Sequence, residues 1–126
     1  MPSATFGYSQ SDWDATKQMA TDFLQRRASL LDPTVAYSAL GPSLRPIPFQ
    51  PDSPAFHEML GEISTAEDGA GRGMLSVLVV HKDGDLRPGP GFFELAAARG
   101  RDISDRDRCW LAEFNAVVAY WTSHAP

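Results

Sequence analysis

Residues 72–95, RGMLSVLVVHKDGDLRPGPGFFEL, decide the fold class. Met74 to His81 is an unbroken Val/Leu-rich run, the pattern of a largely buried strand. Asp83-Gly84 comes next, a dipeptide suited to the positive-φ positions of a tight hairpin turn. Asp85-Leu86-Arg87 then reads as a short return strand, so the segment predicts a two-stranded β-ribbon. Pro88 to Gly91 breaks regular pairing, because proline brings no N–H to a ladder. Phe92 to Arg99 reads as a helix with Gly100 at its stop. Alternatively, Phe92-Phe93 completes the second strand of the ribbon.

Upstream, a helix is expected over about 54–68. Ser53 caps it and Pro54 takes its first position. Phe56, Met59, Leu60 and Ile63 give it one apolar face. Gly61 in its middle costs about 1 kcal/mol relative to alanine, which predicts close approach by a neighbouring element. The segment 41–54, GPSLRPIPFQPDSP, holds five of the ten prolines and reads as an irregular surface loop. Before it, 34–41 is either a short strand with Ser38 capping the residues after it, or a short helix capped by Asp32. A first helix is expected over about 11–31, capped by Ser11 and stopped at Asp32-Pro33. Its stripe is Trp13, Ala20, Phe23, Leu24, Arg27, Leu30 and Leu31. A last helix, capped by Ser104, presents Trp110, Leu111, Phe114, Val117, Val118 and Trp121.

The 126 residues fit one domain, 1–126, able to bury its own core. One cysteine, Cys109, excludes an internal disulfide. The opening residues lack a secretory signal pattern, and no apolar run reaches the roughly 18 residues of a membrane span. The expected address is therefore cytoplasmic, with no membrane partner. Net charge is -5, and residues 1–71 carry four basic and nine acidic groups. Residues 72–108 carry seven basic and six acidic groups. Phosphate affinity comes mainly from Lys and Arg, so any anion site must be local and lie in the second half.

Helices succeeded by a β-ribbon resemble the winged-helix arrangement, in which a small helical bundle carries a two-stranded wing. The pattern LGEIS…LSVLVVHKDGD…PGPGFFELA also resembles a group of uncharacterised bacterial proteins, to which no activity is attached. The winged-helix resemblance implies a helix that enters the DNA major groove, here 54–68. Glu58, Glu62, Glu67 and Asp68 on that helix oppose such a role, since carboxylates repel phosphate. The ribbon suits nucleic acid or another anion better, through Arg72, His81, Lys82 and Arg87. Gly89 and Gly91 before a helix add backbone that an anion can approach.

Chemistry beyond binding has less to draw on. His57 with Glu58 and Glu62 suggests a metal, but Gly61 stands where H-E-x-x-H needs its second histidine. Cys109, near a helix start and beside Arg106 and Arg108, is the one candidate nucleophile. No cofactor motif is present. The expectation is a helix-rich α+β domain of winged-helix type that binds a protein partner or nucleic acid through the ribbon and the Pro/Gly loop. The alternative is a homodimeric protein–protein adaptor. A small enzyme using Cys109 or His57/Glu58/Glu62 comes third.

Overall fold

The structure, a computed structural model, describes residues 6–82 and 86–124. It is a helix-rich α+β fold. In chain order come α1 (Gln10–Arg27), β1 (Val35–Ala36), α2 (Tyr37–Ser43) and α3 (Pro54–Gly69), then a 3-10 segment (Leu75–Leu78). β2 (Val79–Val80), α4 (Pro90–Ala98) and α5 (Arg106–Ser123) complete it.

Residues 74–80 form the centre of the core, each no more than 7% exposed. The run is buried as its composition requires, but most of it is not a strand. Leu75–Leu78 turns as a 3-10 helix and packs against α1, α3 and α5. A buried backbone must still satisfy its polar groups, and here side chains of the surrounding helices do so. Met74 N–H donates to Glu113 at 2.8 Å, and Ser76 N–H to Ser64 Oγ at 2.9 Å. Trp110 Nε1–H donates to the Val77 carbonyl at 3.1 Å.

The expected antiparallel ribbon is corrected. The sheet is parallel and pairs β1 with β2, Val35 opposite Val79 and Ala36 opposite Val80. Residues 83–85, including the Asp83-Gly84 turn, lie outside the described residues. Leu86 and Arg87 are not in a strand. Only the base of a turn remains, with His81 N–H on the Arg87 carbonyl at 2.9 Å and Leu86 N–H on the His81 carbonyl at 3.1 Å. The partner of Val79 and Val80 is β1, 44 residues earlier in the chain, and no local sequence pattern indicates such a pairing.

Of the two readings of 34–41 the strand-first one is closer: β1 is followed directly by α2, whose N-cap is Ala36 with no side-chain cap, so neither Ser38 nor Asp32 caps a helix. Gly41-Pro42 lies inside α2 instead of closing it. A Cβ on Gly41 would stand 2.7 Å from the Phe49 carbonyl oxygen, so the close return of the next loop requires glycine there. Of the expected loop 41–54, residues 44–53 are irregular, with a cis Arg45–Pro46 bond, while 41–43 end α2 and Pro54 opens α3, and the loop packs on the chain's own core. Leu44, Ile47 and Phe49 are buried, and Phe49 stacks on Phe56 at 5.5 Å. Ile47 N–H donates to Thr16 Oγ1, tying the loop to α1.

α3 forms as its signals dictate. Ser53 Oγ accepts from Phe56 N–H, and Phe56, Met59, Leu60 and Ile63 are buried, each contributing about 1.5–3 kcal/mol. α1 starts one residue early and is capped by Ser9, not Ser11. It ends at Arg27, which leaves Leu30 and Leu31 exposed. α5 is capped by Asp105, not Ser104. Its buried face is Cys109, Trp110, Glu113, Val117 and Trp121, while Leu111 is exposed. The stripe is rotated from the apolar expectation because Glu113 is drawn inward by Met74 N–H and Arg101. Among the described residues no helix is long and apolar enough to cross a membrane.

Candidate functional site

The basic residues singled out in the sequence separate in space. Arg72 lies just past α3 and forms a two-pronged pair with Glu67, at 3.1 and 2.8 Å. Lys82 lies 3.6 Å from Asp32. Arg87 Nε donates to Asp107 at 3.0 Å, and its guanidinium lies over the Trp110 ring at 4.5 Å. Each of these cations thus has a carboxylate beside it.

His81, Arg87 and Gly89 do come together. With Pro88, Pro90, Phe93, Arg106 and Asp107 they line a depression of about 360 Å³. Arg106 covers the Phe93 ring at 5.0 Å and has no ion pair among the described residues. Gly91, in the first turn of α4, lies on the other side of the Pro/Gly loop and lines a different cavity.

That cavity is an open groove of about 540 Å³ between α3 and α4. Leu60, Phe92 and Leu95 supply its apolar surface, and Glu58 and Glu94 are exposed polar residues along it. Tyr37, at the start of α2, also lines it. Its ring is 5.1 Å from His57 and 4.6 Å from His81, and its hydroxyl oxygen accepts from Gly89 N–H at 2.9 Å. Burial pushes the Tyr37 phenol up, an effect the Gly89 bond partly opposes, so at neutral pH it is a proton donor. Ser76 also lines the groove, its Oγ accepting from Ser64 at 2.6 Å.

Gly61 explains the groove's depth. The expected close approach is absent, since a Cβ there would meet only Leu95 Cδ2 at 4.0 Å, an ordinary contact. A helix-interior glycine costs about 1 kcal/mol relative to alanine, and packing does not require it here. What it does is keep the groove open. A second depression of about 420 Å³ shares Glu58, Gly61 and Leu95, so the groove continues across α3 toward Lys17 and Glu62.

The chemical candidates are dispersed. His57 Nε2 bonds the Pro51 carbonyl at 2.9 Å. Glu62 accepts from Trp13 and Lys17. Among the described residues no three His, Cys, Asp or Glu side chains are grouped to hold a metal. Cys109 is buried, and burial, with a smaller contribution from the nearby Glu113 carboxylate, pushes its thiol up, away from the reactive thiolate.

Tyr37, Ser76 and Glu94 carry no signal of a site in the sequence. Their partners lie 52 residues away for Tyr37 and 12 for Ser76, so no local motif joins them. Gly61 does carry a signal, an unexplained glycine inside a well-marked helix, and its meaning needs the space around it. Comparison with family models, curated proteins and solved structures found no significant match.

Proposed function

We propose that this protein is a non-enzymatic binding module that holds a partner in the α3/α4 groove beside the Pro/Gly loop 88–91. The observation that carries the reading is Gly61. The helix gives up stability at a position whose side chain would enter the groove, where packing has room for a methyl. The exchange of stability for an open site is common at functional surfaces. The winged-helix likeness enters through element order alone, because a wing is antiparallel and β1 pairs with β2 in parallel.

The reading is tested by selecting a displayed random-peptide library on the folded chain, then rebinding the clones to Gly61→Gln. Clones lost on the variant support the groove. Clones that bind both proteins equally, or no clones at all, overturn it. A thermal melt shows whether the variant is folded. Leu95→Gln, on the α4 wall, serves as the second block.

A second reading places an anion, nucleic acid included, at the depression of His81, Arg87 and Gly89. Arg106, without a carboxylate partner among the described residues, favours it. The pairing of Arg72, Lys82 and Arg87 with carboxylates weighs against a long phosphate backbone. Duplex DNA titrated across a salt series decides this reading. Affinity that ignores both salt and charge reversal at Lys82 and Arg87 would sink it. Homodimerisation draws on Leu30, Leu31 and Leu111, which stay exposed, and sedimentation measures it.

A further inference from the structure

The groove's lining combines exposed carboxylates with buried hydroxyls. Most acidic side chains of α3 and α5 that face other elements are paired. Glu62 pairs with Lys17, Glu67 with Arg72, Asp68 with Arg99 and Arg101, and Glu113 with Arg101. Glu58 and Glu94 differ. They come from the two helices that wall the groove, and neither side chain has an ion pair or hydrogen bond among the described residues. The groove itself is lined by no Lys or Arg, and Lys17, in the depression that continues it, is paired with Glu62.

The same lining holds two buried hydroxyls. Tyr37 and Ser76 are 5% and 7% exposed. The oxygen of each already accepts a hydrogen bond, from Gly89 N–H and from the Ser64 hydroxyl. Neither hydroxyl hydrogen has an acceptor among the described residues. Buried donors are normally satisfied, so these hydroxyls are complementary to an acceptor such as a carbonyl oxygen. Leu60, Phe92 and Leu95 add apolar surface to the same groove.

Resting on the binding-module reading, we propose that the occupant is an extended polypeptide segment in which an apolar side chain neighbours a lysine or arginine. The apolar side chain lies against Leu95 and its neighbours. The cation is attracted by Glu58 and Glu94, and a backbone carbonyl accepts from Tyr37 or Ser76. Continuation of the groove over Gly61 into the second depression favours an extended chain over a compact amine. Charge complementarity at such partly exposed sites mainly sets specificity and association rate, and it weakens with salt.

The test takes the groove-dependent clones, those that Gly61→Gln or Leu95→Gln abolishes, as synthetic labelled peptides. They are titrated by fluorescence polarisation against the wild type and against Glu58→Gln/Glu94→Gln. The expected result is a consensus of an apolar residue beside Lys or Arg. The double variant should lose about tenfold in affinity, and the wild type's advantage should shrink as salt rises. Groove-dependent peptides that lack basic residues, or that bind the double variant equally well, would overturn the proposal and leave the groove reading standing. Absence of groove-dependent peptides overturns both.

Discussion

The two ends of α3 solve opposite problems. At its C-terminal end, Asp68 accepts from Arg99 at 2.7 Å and from both terminal nitrogens of Arg101, at 2.8 and 2.7 Å. Arg101 continues to Glu113 on α5, which also holds Met74 N–H. Gly73 there has φ +87°, and a Cβ on it would lie 2.9 Å from Val117 Cγ2. Charges are matched, and the space beside Gly73 is filled. In its N-terminal half, Glu58 has no cation beside it among the described residues and Gly61 has room for a side chain. A glycine packed against its neighbours marks structure. Gly61, which faces open space inside a helix, is the position on which the proposed binding site rests.

The contrast fails most visibly if the C-terminal end tolerates change. Glu113→Ala leaves Met74 N–H without its acceptor and Arg101 with Asp68 as its remaining carboxylate, so a loss of about 3 kcal/mol is expected in urea denaturation. Gly73→Ala combines a left-handed backbone with a clash against α5, and about 2 kcal/mol should be lost in the same assay. A near-neutral outcome for either would mean that this end is looser than its geometry.

Acid provides a finer probe. Arg101, then Arg99, hold the Asp68 carboxyl at about 2, below its ordinary 3.8. Between those values the unfolded chain binds more protons than the folded one, so stability rises with pH. The contribution of Asp68 is thus complete above 3.8 and lost as pH falls through about 2. The stability advantage of the wild type over Asp68→Asn should be flat from neutrality to about pH 4 and shrink below it. An advantage that does not change across that window would remove Asp68 from the network.

The smallest effect carries the opposite sign. Gly61→Ala should stabilise the protein by about 0.5–1 kcal/mol, seen as a raised Tm. A loss of stability would show that α3 and α4 need the glycine for packing, and the difference between the two ends would disappear.

Much of the fold is legible in the sequence, and each success has a local cause. Ser53-Pro54 marks the start of α3 because a capping oxygen and a residue without N–H both suit a helix entrance. Gly100, at φ +92°, stops α4 for an equally local reason. The site is less legible. Gly89, Gly91, His57 and Glu58 stand out in the sequence, but for anion or metal chemistry. The groove that unites the last three of them exists only when α3 and α4 lie side by side.

By itself, then, the sequence determined the helix-rich class, the burial of residues 74–80 and the start of α3, because caps, periodicity and hydrophobicity act within a few residues. Tertiary structure alone decided that the core run turns as a 3-10 segment, that its short strand pairs in parallel with Val35 and Ala36, and that Glu58 and Glu94 share a groove. The reason is physical. A buried backbone takes whatever hydrogen-bond partners its neighbours provide, and those of Met74, Ser76 and Val77 come from residues 12 to 39 positions away.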